Sequence, residues 1–137
     1  MSTPARILIV DDDPDIVEQL SALMKYEGYQ VAACESCAEA EQTLMAFEPD
    51  LAVIDLMMEQ HDSGFVLCRE IKRLYPGTPV ILLTSVKAAT GLAFSPVSPD
   101  AQSWVKADRL LDKPVRPEQL RNEIRRLLSD AAVEAHA

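Results

Sequence analysis

The chain alternates between short, continuously apolar runs and longer segments in which apolar residues recur every three or four positions. Continuous runs of this length predict strands buried on both faces, and the periodic segments predict helices with one buried face. The predicted strands are residues 7–10, 29–34, 51–54, 80–83 and 109–111. The pattern therefore predicts five strands, each but the last followed by a crossover segment.

Helix signals stand between these strands. Asp13 is a predicted N-cap with Pro14 at the first helical position, and Gly28 ends that helix. Ser36 and Glu39 predict a capping box for a second helix that extends to residue 47. Two further helices are predicted at about residues 65–74 and from residue 117 onward.

Strands that alternate with helices favour a doubly wound α/β fold, a parallel sheet covered by helices on both faces. Between the fourth and fifth strands, Gly91, Pro96 and Pro99 interrupt the pattern, so we expect a shortened or irregular helix there. The domain is predicted to span residues 1–129, with a frayed tail at 130–137.

Composition narrows the class of protein. The chain has 137 residues, enough for one core, and its net charge of −9 argues against nucleic-acid binding. No apolar run is long enough to span a membrane. Three cysteines, an odd number, do not indicate a disulfide framework, so we expect a cytoplasmic protein in a reducing environment.

Polar residues follow the predicted strands at the points where they end. Asp11 and Asp12 follow the first strand, Asp55 the third, Thr84 the fourth and Lys113 the fifth. In such folds the functional crevice lies at the carboxyl ends of the strands. Three carboxylates there predict a Mg²⁺ site, since Mg²⁺ prefers oxygen ligands. A carboxylate beside Mg²⁺ and an ammonium group can act as a nucleophile toward phosphorus.

The motifs ILIVDDDP, PDLAVIDLMM, VILLTS and LLDKPV together resemble the receiver domain of two-component response regulators, over roughly residues 5–129. The resemblance implies a flavodoxin-like five-stranded sheet of order 2-1-3-4-5. It also implies a non-enzymatic signalling switch that takes a phosphoryl group from a sensor histidine kinase or a phosphotransfer protein. The implied site residues are Asp55 as phospho-acceptor, Asp11, Asp12, Asp55 and the Met57 carbonyl at Mg²⁺, Thr84 as switch hydroxyl, and Lys113 on the phosphoryl group.

The sequence departs from the family pattern in three regions. Glu59 stands where family members usually carry a proline, and Gly64 comes one residue later than the usual glycine. Leu110 replaces the aromatic residue that usually stands three positions before the lysine, and residues 86–106 form a longer connection than usual. We expect a stand-alone receiver whose output is contact with a downstream protein, and the sequence leaves open whether copies pair as a homodimer.

Two alternatives stay open. A degenerate receiver would bind its partners without taking phosphate. A small phosphatase of the haloacid-dehalogenase type would use Asp11 and Asp13 as an Asp-x-Asp pair. Cys34 and Cys37 have the spacing of half a redox or zinc site. With no second pair, they are interpreted as small buried residues.

Overall fold

The computed structural model describes residues 4–55, 63–85, 109–113 and 115–136. These residues form five strands and four helices. The strands are β1 (Arg6–Val10), β2 (Gln30–Cys34), β3 (Leu51–Asp55), β4 (Val80–Ser85) and β5 (Arg109–Lys113). The helices are α1 (Pro14–Tyr26), α2 (Cys37–Leu44), α3 (Ser63–Leu74) and α4 (Pro117–His136).

All strand pairs are parallel, and the order across the sheet is β2-β1-β3-β4-β5. This is the flavodoxin-like order that the family resemblance implied, and the fold prediction is confirmed. The expected irregular helix between β4 and β5 falls on residues outside the described ranges. No helix in the described part of the chain is long and apolar enough to cross a membrane.

The core has two layers because alternate side chains of each strand point to opposite faces of the sheet. One layer packs α2 and α3 against the sheet, around Leu44, Leu67 and Ile71. The other packs α1 and α4 against the opposite face, around Met24 and Ile124. With both faces covered, β1, β3 and β4 are apolar almost throughout, as their sequences predicted.

The helix boundaries follow local chemistry. The Asp13 side chain caps α1, and Gly28 has a φ of 93° just past its end, a conformation that glycine adopts without a steric penalty. Ser36 caps α2 by accepting a hydrogen bond from the Glu39 amide, 3.1 Å away.

Two sequence predictions about helix ends were wrong. α2 ends at Leu44 rather than at residue 47, because the amides of Met45 and Ala46 bond three residues back and tighten the chain into a turn. The last helix continues to His136, so residues 130–136 are helical rather than frayed. Alanine and glutamate in that segment are strong helix formers, which accounts for the extension.

Candidate functional site

The carboxyl edge of the sheet brings three aspartates together. Val10, the last residue of β1, pairs with Ile54 in β3, so Asp11 and Asp55 follow at the same level of the sheet. A carboxylate oxygen from each of Asp11, Asp12 and Asp55 lies within 4.8 Å of the others. Asp11 and Asp55 are almost fully buried, with 1% and 5% of their surface exposed, whereas Asp12 is exposed.

Backbone hydrogen bonds hold the first of these aspartates. The Asp11 amide donates to the Cys34 carbonyl at the end of β2, 3.1 Å away. The Asp11 carboxylate accepts a hydrogen bond from the Asp13 amide at 2.9 Å. Asp13 in turn accepts from the Asp15 amide at 3.0 Å as it caps α1. The loop after β1 is therefore fixed at both ends, and its first carboxylate is kept at the sheet edge.

The donor set suits a hard cation. Clustered carboxylates at low exposure repel one another and lose hydration, and a divalent ion offsets both costs. Mg²⁺ binds oxygen donors, commonly through one or two carboxylates together with water and phosphate oxygens. The Asp11, Asp12 and Asp55 group is the one cluster of potential metal ligands among the residues that the structure describes. Met57, the further ligand that the resemblance implied, lies outside those residues.

Thr84 brings a hydroxyl to the same edge. Asp55 pairs with Leu83 across β3 and β4, so Thr84 is the next residue on β4. Its side chain is 2% exposed, and its Oγ1 has no hydrogen-bond partner among the described residues. A buried hydroxyl without a partner is costly, and such groups are rare in folded proteins. The hydroxyl is therefore available to donate to a ligand at this edge.

Lys113 is placed by its backbone. It ends β5 and pairs with Ser85, the last residue of β4, so it stands at the carboxyl edge beside the other site residues. The position of its side chain lies outside the described part of the structure. The backbone register alone brings the ends of β1, β3, β4 and β5 to one edge, as parallel strands require.

The thiols of the cysteines are not among the potential ligands of this cluster. Cys34, Cys37 and Cys68 are free thiols, and Cys34 and Cys68 are buried. Burial raises the pKa of the Cys34 thiol, with the hydrogen bond to Thr43 opposing that shift. A thiol with a raised pKa is a poor nucleophile and a poor metal ligand. For Cys34, the interpretation as a small buried residue is confirmed.

Sequence reasoning missed one contributor to the site. The Cys34 carbonyl positions Asp11, yet a backbone acceptor on another strand leaves no signal in residue type. Only the alignment of β2 with β1 could have indicated it.

A sheet of this order with clustered carboxylates at its carboxyl edge defines a receiver-type α/β domain. A sequence profile of the response regulator receiver domain matches residues 7–125 of the chain, and the chain belongs to that family.

Comparison with individual proteins supports the same family. The response regulator MprA of Mycolicibacterium vanbaalenii is 33% identical over 125 residues, which cover 91% of this chain and 51% of MprA. A CheY-like receiver domain protein from Methanospirillum hungatei superposes with a TM-score of 0.82 at 26% identity, covering 96% of this chain and 99% of that one. Response regulator TrrA from Thermotoga maritima, solved in complex with Mg(2+)-BeF, has a TM-score of 0.72 at 28% identity, covering 90% and 98%. The chain spans about half the length or less of the curated relatives it matches.

Proposed function

We propose that this domain accepts a phosphoryl group on Asp55 from a phosphohistidine of a sensor kinase or phosphotransfer protein, in a Mg²⁺-dependent reaction. The observation that carries the proposal is the approach of three carboxylate oxygens, from Asp11, Asp12 and Asp55, to within 4.8 Å at the carboxyl edge of the sheet. Membership in the receiver family supports it.

In the transfer step, a carboxylate oxygen of Asp55 attacks phosphorus. An O–P bond forms as the N–P bond to the donor imidazole breaks, and the imidazole nitrogen takes the bonding electron pair and a proton from solvent. The Thr84 hydroxyl donates to an oxygen of the transferred group, which gives this buried donor the partner that it lacks among the described residues. The Lys113 ammonium offsets charge on the same group.

Asp11, Asp12 and Asp55 would hold Mg²⁺, with the Met57 carbonyl as a further ligand. The ion supplies charge neutralisation for carboxylates and phosphoryl oxygens that would otherwise repel one another. TrrA, with which this chain shares its fold, was solved with Mg(2+)-BeF, and this also supports the assignment.

The output of the switch is proposed to be contact with another protein, and the domain acts as a phospho-acceptor rather than as an enzyme with a separate substrate. A cytoplasmic location fits its free thiols, since disulfides are rare in that compartment. The expectation of a stand-alone receiver stays a prediction.

The test is intact mass spectrometry after incubation with acetyl phosphate, a small phosphoryl donor. We expect one added phosphoryl group in the presence of Mg²⁺ and none in EDTA. Asp55→Asn should abolish the gain, and Asp130→Asn, an exposed aspartate on α4, serves as the matched control. If the wild type takes no phosphoryl group from acetyl phosphate or from a phosphorylated kinase, the degenerate receiver becomes the better account.

Mapping the modified residue separates this proposal from a haloacid-dehalogenase-type phosphatase, in which Asp11 would carry the covalent intermediate. Borohydride reduction of the phosphoprotein followed by peptide sequencing should mark Asp55. The Asp13 carboxylate caps α1 through the Asp15 amide, which ties it to the helix and disfavours a role as acid or base. A reduced residue at position 11 would instead identify the phosphatase.

A further inference from the structure

Charge is divided unevenly along the chain. Residues 1–68 contain 14 acidic and 2 basic residues, whereas residues 69–126 contain 6 acidic and 11 basic residues. The change of charge falls inside α3, at residue 69, so α2 belongs to the acidic region and the second half of α3 to the basic one. The two helices lie side by side on one face of the sheet. Tyr75, just after α3, donates a hydrogen bond to the Leu44 carbonyl at the end of α2, at 2.6 Å, so the two helices are held together.

The outer side of α2 is acidic with an apolar centre. Ala38 and Glu41 on α2 and Met45, its C-cap residue, are exposed and recur at helical spacing. Glu48, also exposed, follows three residues further along the chain. Met45 is 87% exposed, which is unusual for a large apolar side chain, and it is flanked in sequence by Glu41 and Glu48. We call this set the α2 stripe.

The outer side of α3 is basic with apolar ends. Val66, Arg69 and Arg73 recur at helical spacing on the exposed side, and Pro76 lies just beyond the helix. Val66 is 51% exposed. These residues, which we call the α3 stripe, line an open depression of about 750 Å³ together with Glu70 and Lys72. Glu70 pairs with Arg73, and among the described residues that line the depression there are three cations and one carboxylate.

The two stripes complement each other in charge and in pattern. Each is a row of about one helix length that combines exposed apolar groups with charges of one dominant sign. Because the helices are neighbours, a two-fold axis running between them in the interface places α2 of each copy against α3 of the other. Such an isologous contact forms twice and closes, as two-fold symmetry requires.

We propose that the α2–α3 face binds a second copy of this chain, with the α2 stripe of each copy docked on the α3 stripe of the other. The apolar members supply buried area, and the opposed charges set the register and exclude other pairings. The net charge of −9 on each copy opposes association, so the contact depends on this local complementarity. The proposal does not depend on phosphorylation.

Charge reversal gives a direct test by sedimentation equilibrium of the full chain. Variant A carries Arg69→Glu and Arg73→Glu, which makes both stripes acidic. Variant B carries Glu41→Lys and Glu48→Lys, which makes both stripes basic. We expect the wild type to dimerise and each variant alone to lose at least about tenfold in dimer affinity, because like charges then face each other.

The decisive sample is a mixture of the two variants. In an A–B pair both contacts again join opposite charges, so the mixture should form a dimer although neither variant does so alone. The control carries Lys25→Glu and Arg126→Glu, exposed positions on the α1 and α4 side of the sheet with the same change of net charge as variant A. It should dimerise within about threefold of the wild type, as interface effects are local.

Folding of each variant is checked by thermal unfolding, which exposed substitutions should alter little. A wild type that stays monomeric up to about 1 mM overturns the proposal, since that limit corresponds to the weakest specific contacts. So does a dimer that survives in both variants, or a mixture of A and B that stays monomeric. In those cases the ligand of the basic α3 stripe would have to be an acidic partner other than a second copy of this chain.

Discussion

A buried threonine lies near each end of β4, and the two differ in the hydrogen bonding of their hydroxyl groups. Thr78, just before the strand, is 6% exposed, and its hydroxyl donates to the Pro49 carbonyl at 2.9 Å. Thr84, near the end of the strand, is 2% exposed, and its hydroxyl has no hydrogen-bond partner among the described residues. The two side chains differ little in burial, so the difference lies in what each edge of the sheet is organised to do.

At the amino edge, polar groups of the described residues find partners within the chain. The Arg6 amide donates to the Asp50 carboxylate at 2.7 Å, and the Tyr75 hydroxyl donates to the Leu44 carbonyl at 2.6 Å. The carboxyl edge instead collects three carboxylates with oxygens within 4.8 Å. We therefore expect the amino edge to contribute mainly to stability, and the carboxyl edge to gain stability when a ligand binds there, as functional sites commonly do.

The largest expected effect is at the amino edge. Thr78→Val removes the hydroxyl and leaves the buried Pro49 carbonyl without its donor, so the free energy of unfolding should fall by about 1–3 kcal/mol. Urea unfolding followed by circular dichroism measures the change. A loss below about 0.5 kcal/mol would mean that the hydrogen bond contributes little to the closure of this edge.

Tyr75→Phe should cost less, about 1 kcal/mol, because Tyr75 is only half-buried and water can approach the Leu44 carbonyl from the side of the lost hydroxyl. Tyr26→Phe is the matched control, since Tyr26 is 85% exposed and its hydroxyl faces solvent. Equal unfolding midpoints for the two variants would contradict a role for Tyr75 in fastening α3 to α2.

At the carboxyl edge we expect a substitution to raise the free energy of unfolding rather than lower it. Asp12→Asn removes one of three mutually repelling carboxylates, so in EDTA the variant should be more stable than the wild type by about 1 kcal/mol. In Mg²⁺ the order should invert, since the wild type gains more from binding the ion. Thermal unfolding with and without Mg²⁺ gives both values, and Asp130→Asn should shift neither. A variant destabilised in EDTA would show that Asp12 does not experience net repulsion.

The smallest effect on stability is expected for Thr84→Val, which replaces a hydroxyl that has no partner among the described residues with a methyl group of similar size. Unfolding free energies should match within about 0.5 kcal/mol, in contrast to Thr78→Val. The rate of phosphorylation by acetyl phosphate, followed by intact mass, should nevertheless fall. If Thr84→Val is as destabilising as Thr78→Val, the two edges are not distinguished in the way proposed.

Much of the fold was predictable because local signals agreed with one another. The apolar runs at β1 and β3, the capping residues Asp13 and Ser36, and Gly28 after α1 all act within a few residues. The failures also have local causes. The turn at Met45 ends α2 early although the sequence shows no glycine or proline there, and the alanine-rich end of α4 stays helical.

Only part of the candidate site could be predicted from the sequence. Asp11, Asp12 and Asp55 could be placed at strand ends, because the carboxyl ends of parallel strands share an edge. The support of Asp11 by the Cys34 carbonyl could not be predicted, since it depends on a neighbouring strand. The same holds for Glu27, which pairs with Arg125 at 2.7 Å across 98 residues of sequence.

The sequence by itself determined which segments become strands and helices and which polar residues follow each strand. Those features depend on side-chain periodicity and on capping within one or two turns. Tertiary structure alone decided that the Thr78 hydroxyl is hydrogen-bonded whereas the Thr84 hydroxyl has no partner within the described part of the chain, and that an acidic α2 lies beside a basic α3. The physical reason is that a buried polar group finds its partner on another segment of chain, and residue type does not reveal which segment that is.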